Sequence, residues 1–406
     1  MTERLYYTDS FLQRFDARVL EMRETPAGTA VLLDRSAFYP TSGGQNFDTG
    51  WLGADANART RVLNVEEDES TGEVLHYVEN ASGIQSSATV EGAIDAGRRR
   101  DHMQQHTGQH VLSAAFEKLY QFPTVSFHMG DETCTIDLAT HGVKPAQIEA
   151  AEKLANEVIF EDRPVEIRFA TPDEARTMGV RKIPAAEREK LRLIDIREFD
   201  LNACGGTHVR STGQIGTILL RKTEKVRQGV RVEFVCGLRA VAITRRDFTT
   251  LTDAAAAFST HLYELPQQAR KALDDVKSAQ KAQAKLQEEV AELQAAQYVQ
   301  SARVLASGEK LVAEFFADRD LGFIKMLAQK ITRADRALAL LACGGAQPSL
   351  VFAQTPGLAR DMGALMKQTV QKLGTRGGGN KDMAQGGAPD AMSAEKALAE
   401  VAANLG

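Results

Sequence analysis

The chain has 406 residues, a formal net charge of −5 and four scattered cysteines, Cys134, Cys204, Cys236 and Cys343. Its length predicts two or three domains, and no apolar run approaches the roughly 18 residues of a membrane-spanning helix. The slightly acidic balance excludes a bulk polyanion binder, so any nucleic-acid contact must come from local basic patches. The cysteine spacing is typical of a reducing cytosol, and no secretory signal is evident, so we predict a cytoplasmic protein.

Four segments differ in the period of their apolar residues, and together they predict an α+β protein. Residues 1–95 read as short strands separated by turns, which predicts a small, mostly antiparallel β-unit. Residues 96–240 begin with a helical pattern and continue with strands, which predicts an α+β domain. Residues 241–305 are rich in Ala, Gln, Lys and Glu and predict a helical connector. Residues 306–406 alternate between strand and helix patterns and predict a C-terminal α/β domain.

Within the connector, Leu286, Val290 and Leu293 follow a 4,3 spacing that suits a long helix with a narrow apolar seam. Two structures fit this pattern, a solvated connector helix and a self-associating coiled coil. The sequence leaves both open.

The segment "RRRDHMQQHTGQHVLSAAF", residues 98–116, carries His102, His106 and His110 on one predicted helix. His106 and His110 are four positions apart, so they project from one helix face about one turn apart, where a single tetrahedral ion can bridge them. Taken alone, such a pair is more often structural or exposed than metal-binding. His102 has no partner in this pattern, and we expect it to be exposed or to support the site from outside.

A second chelating pair follows in "LNACGGTHV", where Cys204 and His208 flank a Gly-Gly turn. One thiolate and three imidazoles form a borderline-soft ligand set that suits zinc better than magnesium or calcium. The alternative for Cys204 is a small buried residue beside a tight turn. The glutamate of a zinc peptidase and the deaminase signature are both missing from these motifs. A closed set of four protein ligands is usually structural, whereas a catalytic site keeps a position for water or substrate.

These two motifs resemble the editing domain of alanyl-tRNA synthetase and of its free-standing relatives, the AlaX-type editing proteins. The family signature is H-x-x-x-H, followed about a hundred residues later by C-x-x-x-H. The match extends to "FYPTSGGQ" in the first segment, "STGQIGTILL" and "GVRVEFVCG" in the second, and "LGTRGGGNKDMAQGG" near the C-terminus. The resemblance implies an N-terminal β-barrel, a zinc-containing editing domain, a long connector helix and a C-terminal DHH-associated-like domain.

The resemblance also implies a function, a trans-editing hydrolase that uses Zn2+ to deacylate mischarged tRNA(Ala). Ser-tRNA(Ala) is the main expected substrate, and Gly-tRNA(Ala) is a second candidate. Because the β-segment begins within the first few residues, we expect a free-standing long-form editor rather than a synthetase. Neither motif contains Asp or Glu, so a protein general base is not evident. Water activated by the metal, or help from the ribose 2′-hydroxyl, is the preferred route.

Site residues carry over from the family position by position. The implied zinc ligands are His106, His110, Cys204 and His208. Thr124 and Ser126 lie about where small editors keep a hydroxyl residue that senses the serine side chain. Phe127 or His128 lies near the place of a synthetase glutamine, whose role cannot be transferred because the residue differs, and we count His128 with the substrate-binding candidates.

Local basic segments predict contacts with the tRNA acceptor end. They comprise Arg98, Arg99 and Arg100 before the histidine helix, Arg221, Lys222, Lys225, Arg227 and Arg231 in a predicted ribbon, and Arg376, Gly377, Gly378, Gly379 and Lys381 in a glycine loop. The alternatives are a solvated helix start for the three arginines and a mobile linker for the glycines. The family's C-terminal domain tends to dimerise, so a homodimer is expected, and no membrane partner is.

A second class of function fits the same residues, a tRNA-binding or assembly protein whose zinc is purely structural. The closed four-ligand set favours it, whereas the intact motifs and the Ser-Gly-Gly-Gln segment favour the editor.

Overall fold

The computed structural model describes residues 2–54, 59–68, 70–181, 189–227 and 229–405. It divides into two compact units, Met1–Asp253 and Ala254–Gly406. The strands are β1 (Glu3–Arg4), β2 (Arg14–Thr25), β3 (Gly28–Leu33), β4 (Arg35–Ser36), β5 (Gly50–Gly53), β6 (Arg59–Glu67), β7 (Val74–Val78), β8 (Thr89–Ile94), β9 (Thr124–Met129), β10 (Cys134–Leu138), β11 (Val165–Ala170), β12 (Leu191–Ile196), β13 (Asp200–Ala203), β14 (Ile218–Val226), β15 (Gly229–Cys236), β16 (Arg303–Val304), β17 (Lys310–Phe316), β18 (Ala337–Cys343), β19 (Ser349–Gln354), β20 (Gly377–Gly379) and β21 (Met383–Gly387). The helices are α1 (Ala96–Tyr120), α2 (Pro145–Phe160), α3 (Pro172–Thr177), α4 (Gly237–Ala257), α5 (Leu265–Gln300), α6 (Leu321–Ile331), α7 (Met362–Leu373) and α8 (Ala391–Asn404). Within the described ranges, no helix is long and apolar enough to cross a membrane.

The N-terminal strands close into an antiparallel barrel in the order β2-β3-β7-β6-β5-β8. Strand β2 shows why, since Phe15, Ala17 and Val19 are buried and alternate with exposed polar residues. This period of two sends every second side chain into the barrel interior. The predicted N-terminal β-barrel is therefore confirmed.

The rest of the first unit packs α1 against the sheet β14-β15-β10-β9, with the sheet β11-β12-β13 beside it. Asp95 caps the start of α1 by accepting hydrogen bonds from the N–H groups of Gly97 and Arg98. Every residue of α1 from His102 to Phe116 is buried, so this helix is a central element of the unit. Gly108 permits this closeness, because a Cβ there would lie 2.3 Å from Sγ of Cys236.

Two local features differ from the sequence interpretation. The segment "LRLIDIREFDLNACGGTHV" reads in sequence as a single strand that leads into the Gly-Gly turn, but it forms the antiparallel pair β12 and β13. Glu198, with φ of 59°, makes the tight reversal between them. The short helix α3 carries no apolar period of its own and was not predicted; Thr171 caps its start through a capping box with Glu174.

The second unit is a six-stranded sheet in the order β16-β17-β18-β19-β21-β20. Every residue of β18 is buried, because alternate side chains enter two separate cores, one with α6 and the end of α5, the other with α7 and α8. Helices on both faces explain why this strand is apolar throughout. In α5, Ala291 and Ala295 face the core, whereas Leu286 and Leu293 of the predicted seam are 61% and 74% exposed.

The structure corrects the prediction of a glycine loop near the C-terminus. Gly377, Gly378 and Gly379 form the edge strand β20, which pairs with β21. Cβ atoms at Gly377 and Gly379 would clash with the backbone of β21, so glycine allows this close pairing. The segment is therefore an ordered hairpin, and neither a mobile linker nor a loop.

Candidate metal centre

The two chelating motifs come together at one point of the first unit. The ligand atoms of His106, His110, Cys204 and His208 all lie within 4.8 Å of one another. Sγ of Cys204 lies 3.3 Å from Nε2 of His106 and 3.3 Å from Nε2 of His208. Such separations suit ligands around one tetrahedral ion, for which metal–ligand bonds are about 2.0–2.3 Å. This cluster could therefore hold a metal ion.

His106 is held from its outer side by the barrel. Its Nδ1 lies 2.7 Å from Oε1 of Gln45, the glutamine of the Ser-Gly-Gly-Gln segment. The same oxygen accepts the N–H of Thr207, and Nε2 of Gln45 donates to the Thr207 hydroxyl. Since Oε1 can only accept, His106 carries its proton on Nδ1 and presents Nε2 as a ligand.

His110 and His208 have similar outer partners. Nδ1 of His110 lies 3.3 Å from a carboxylate oxygen of Asp200, which also pairs with Arg181. Nδ1 of His208 lies 3.2 Å from the hydroxyl of Thr107, the residue that follows His106 in α1. All three imidazoles thus have a partner at the nitrogen away from the cluster, an arrangement that orients metal-binding histidines.

The Gly-Gly turn brings Cys204 to the cluster. The N–H of Gly206 lies 3.3 Å from Sγ of Cys204. A Cβ at Gly206 would lie 2.1 Å from Cε1 of His106, so only glycine fits between the turn and the imidazole. Arg192 supports the turn from beneath by donating to the carbonyl oxygens of Cys204 and Gly206.

The electrostatics of the cluster favour a thiolate. Burial raises the pKa of the Cys204 thiol, but His106 and His208 outweigh it and hold that pKa well below its ordinary value. Burial lowers the pKa of His110, yet Asp200 and Cys204 raise it overall to about 9. Burial lowers the pKa of His208 to about 3. The thiolate is the form of cysteine that binds metal ions.

An open cleft of about 460 Å³ leads to the cluster. Three of the four potential ligands, His106, His110 and Cys204, line this cleft, whereas His208 lies behind them. The cleft is also lined by the Ser-Gly-Gly turn, by Gln109 of α1 and by β9. A small ester group could therefore enter from solvent and reach three of the potential ligands.

The predicted substrate residues take different positions along β9. Thr124 and Ser126 line the cleft, and the Thr124 hydroxyl donates to Oγ of Ser113 over 2.7 Å. His128 is exposed and does not line the cleft, because the aromatic residue before it points inward instead. Phe127 packs on His106 with ring centroids 5.3 Å apart. His128 is therefore corrected to an outward-facing position.

The three consecutive arginines lie within the first turns of α1 and do not act as one patch. Arg99 is only 1% exposed and forms a buried ion pair with Asp48, so it leaves the predicted RNA-facing set. Arg98 donates to the carbonyl of Phe47, and Arg100 is exposed. His102 is 3% exposed and lies outside the metal cluster, so the exposed alternative is wrong, and its buried Nδ1 has no hydrogen-bond partner among the described residues.

The ribbon of β14 and β15 carries basic residues with different partners. Arg221, Lys222 and Arg231 form ion pairs with Asp247, Glu224 and Asp137, respectively. Lys225 and Arg227 are exposed, and no ion pair of theirs occurs among the described residues. In the second unit, Arg376 and Lys381 are exposed at the two ends of β20.

Three supporting residues had no assigned role in the sequence interpretation. Gln45 lies in a recognised segment, and its neighbour glycines could have indicated a close approach. Asp200 and Thr107 give no signal from spacing, because each acts on a histidine distant in sequence.

The fold and the cluster together define a candidate metalloprotein with a cleft at its metal centre. Two family models match the chain, the second additional domain of threonyl and alanyl tRNA synthetase at residues 191–232 and the class II (A) tRNA synthetases at residues 5–98. The first match contains Cys204 and His208, and the second contains the barrel. Both segments thus resemble parts of tRNA synthetases.

Relatives that match nearly all of this chain point to the same family of proteins. The chain is 30% identical over 410 residues to an alanine–tRNA ligase of Pyrococcus abyssi, which covers 98% of this chain but only 43% of the ligase. It is also 30% identical over 393 residues to the alanyl-tRNA editing protein AlaX-L of Pyrococcus horikoshii, covering 95% of this chain and 94% of that protein. The chain belongs to the AlaX-type family of alanyl-tRNA editing proteins. Among solved structures, the C-Ala domain of Aquifex aeolicus alanyl-tRNA synthetase matches with a TM-score of 0.20 and 23% identity, over 23% of this chain and 90% of that domain.

Proposed function

We propose that this protein is a zinc-dependent aminoacyl-tRNA deacylase that hydrolyses mischarged tRNA(Ala), above all Ser-tRNA(Ala). The cleft is the observation that supports this proposal best, because it exposes three of the four potential metal ligands to an incoming ester. The donor set of one sulfur and three nitrogens suits zinc. Gly-tRNA(Ala) is a second substrate of the same cleft, and the acceptor end of tRNA(Ala) is the proposed partner.

The zinc ligands in this proposal are His106, His110, Cys204 and His208. Bound zinc supplies Lewis-acid polarisation of the ester carbonyl or a lowered pKa for a water molecule. The chain's own residues prepare the site. Gln45, Asp200 and Thr107 hold the three rings so that each keeps one nitrogen toward the cluster.

Selectivity for serine comes from a polar strip along one wall of the cleft. Gln109 donates to Oγ of Ser113, and Thr124 donates to the same oxygen. Gln109 and Thr124 both line the cleft. A hydroxyl on the substrate can join this network, whereas alanine has no group that can bond to it, and a site that bonds a substrate hydroxyl discriminates strongly against the analogue without one. Glycine lacks the hydroxyl as well, so hydrolysis of Gly-tRNA(Ala) depends on the shape of the cleft.

A tRNA-binding or assembly protein with a purely structural metal is the second candidate. The observation that favours it is the set of four protein side chains, which leaves no evident open position for substrate on a tetrahedral ion. The two candidates differ in one respect, since only the deacylase consumes an aminoacyl ester.

Deacylation of Ser-tRNA(Ala), Gly-tRNA(Ala) and Ala-tRNA(Ala) tests the proposal directly, with the full chain and its Cys204→Ala variant. We expect rapid loss of the seryl ester, a spared alanyl ester and an inactive variant with little zinc by elemental analysis. Cys343→Ala is the matched control, because Cys343 is buried in the second unit. An inactive wild type that still holds one zinc per chain contradicts the deacylase and leaves the structural-metal protein.

A further inference from the structure

The outer wall of the barrel carries an aromatic group stacked with two cations. Trp51, the only tryptophan of the chain, lies on β5 next to Leu52, which fills the barrel interior. The guanidinium carbons of Arg59 and Arg61 on β6 lie 4.8 Å and 4.9 Å from the centre of the indole ring. Register explains this, because Trp51 pairs directly with Arg61 and Arg59 is the next residue on the same face.

This stack borders a cleft of about 610 Å³, which we call the Trp51 cleft. The side chains that line it include Trp51, Arg59, Arg61, Glu79, Asn80 and Ser82. Its volume falls in the range of about 300–1,000 Å³ that small-ligand sites occupy. Two cations face one acid among these residues, so the cleft favours an anion.

Within the part of the chain that the structure describes, the guanidinium groups of the stack keep hydrogen-bond donors for a ligand. Among the described residues, no carboxylate lies within 4.0 Å of Arg59 or Arg61. In contrast, Arg14 on β2, which β8 separates from β5 in the barrel, pairs with Glu91. A guanidinium over an indole uses its flat face there, which leaves its in-plane N–H groups for other partners.

The chemistry of the cleft fits one nucleotide of RNA. The N–H edges of Arg59 and Arg61 match a phosphate, and planar guanidinium and indole groups stack with a nucleobase. The polar side chains of Asn80 and Ser82 can bond the base or the ribose. An acidic peptide would satisfy the arginines but would leave the stacking surface unused, so RNA fits better.

The cleft is also close to the metal centre along the chain. Gln45, which contacts His106, precedes Trp51 by six residues. Six residues span at most about 20 Å, which equals the rise of about six nucleotides in a nucleic-acid strand. A tRNA whose aminoacylated end enters the metal cleft therefore has nucleotides within reach of Trp51.

We infer that the Trp51 cleft binds a nucleotide near the acceptor end of the tRNA, by stacking on the Trp51–Arg61 pair and by phosphate contacts with Arg59 and Arg61. The identification of the RNA as tRNA(Ala) rests on the proposed function. Binding of a nucleotide in the Trp51 cleft does not itself require the metal ligands.

The single tryptophan gives a direct test, because all tryptophan emission reports on this cleft. Uncharged tRNA(Ala) transcript is titrated into the full chain and into the Arg59→Gln/Arg61→Gln double variant. We expect saturable quenching in the wild type and an affinity about 5- to 30-fold weaker in the double variant. Arg14→Gln is the matched control on the same barrel and should leave the affinity unchanged.

The outcomes separate this site from the proposed function. Quenching by tRNA in a wild type that deacylates no aminoacyl-tRNA supports the site and contradicts the deacylase. Normal deacylation with no change of emission at saturating tRNA, or equal affinities of wild type and double variant, overturns the site alone. Polyglutamate that quenches the emission better than tRNA does also overturns it, in favour of an acidic protein partner. Near-ultraviolet circular dichroism verifies that the double variant is folded.

Discussion

Oε1 of Gln45 lies 2.7 Å from Nδ1 of His106 and so ties the N-terminal barrel to the candidate metal centre. The two residues come from different segments, 61 positions apart, and both are buried. The bond specifies which nitrogen of His106 faces the cluster. The barrel therefore takes part in shaping the metal centre.

Replacing Gln45 with alanine should lower zinc affinity about 10- to 100-fold, because His106 loses the acceptor that orients it. Competition with a chromophoric chelator measures the affinity. Gln85→Ala is the matched control, since Gln85 is an exposed residue of the same barrel region. Equal zinc affinities of the Gln45 variant and the wild type would show that the hydrogen bond does not support the ligand.

Gly206→Ala should release the metal although it changes no ligand. The added methyl group would lie 2.1 Å from Cε1 of His106, so either the turn or the imidazole must move. Native mass spectrometry should find less than half of the chains carrying zinc, against nearly all in the wild type. Gly378→Ala is the control, because no atom lies within 4 Å of its new methyl group. Full zinc occupancy of the Gly206 variant would contradict the geometry of the turn.

Thr124→Val tests the polar strip of the cleft. Valine keeps the shape of threonine but removes the hydroxyl that bonds Ser113. We expect kcat/KM for Ser-tRNA(Ala) to fall about 10-fold or more, with little change for Gly-tRNA(Ala), because an interaction with the substrate hydroxyl is lost. Thr140→Val, remote from the cleft, should leave both substrates unaffected. Equal decreases of kcat/KM for the two substrates would show that Thr124 only packs in the wall of the cleft and does not recognise the serine hydroxyl.

The geometry within each pair of potential metal ligands was predictable because each pair lies within five residues of chain, whereas the meeting of the two pairs followed from their ligand chemistry and from the family resemblance. A helix separates His106 from His110 by one turn, and a tight turn brings Cys204 near His208, so local spacing already reports local geometry. The partners of these ligands were not predictable. Asp200 meets His110 across 90 positions, and neither of the two motifs includes Asp200 or marks it as a partner of a histidine.

Arg99 was predicted to face RNA, but it is buried. Three consecutive arginines are typical of a solvated surface, yet successive helix positions point in directions about 100° apart, so one of the three faces the core. Arg99 is that residue, and Asp48 with two backbone carbonyls compensates its burial. The glycine segment was misread for a related reason, since strand β20 has no side chains to show a period of two.

His76 predicts how the stability of the barrel depends on pH. It is fully buried, bonded to Oγ of Ser36 and the carbonyl of Val31, and burial lowers its pKa to about 4 from the ordinary value of 6.5. The unfolded chain therefore binds a proton between pH 6.5 and 4 that the folded barrel excludes. The stabilising contribution is complete above pH 6.5 and declines as the pH falls toward 4, by roughly 1.4 kcal/mol per pH unit.

Urea unfolding of the full chain, followed by the emission of Trp51, measures this effect in the barrel itself. Wild type should lose stability steadily from pH 6.5 to 4.5, whereas His76→Gln should start less stable at pH 7.5 and lose less over the same range. His141→Gln, which replaces an exposed histidine, should follow the wild-type slope. Because glutamine cannot bind a proton in this range, parallel slopes for wild type and His76→Gln would mean that His76 is not the titrating group.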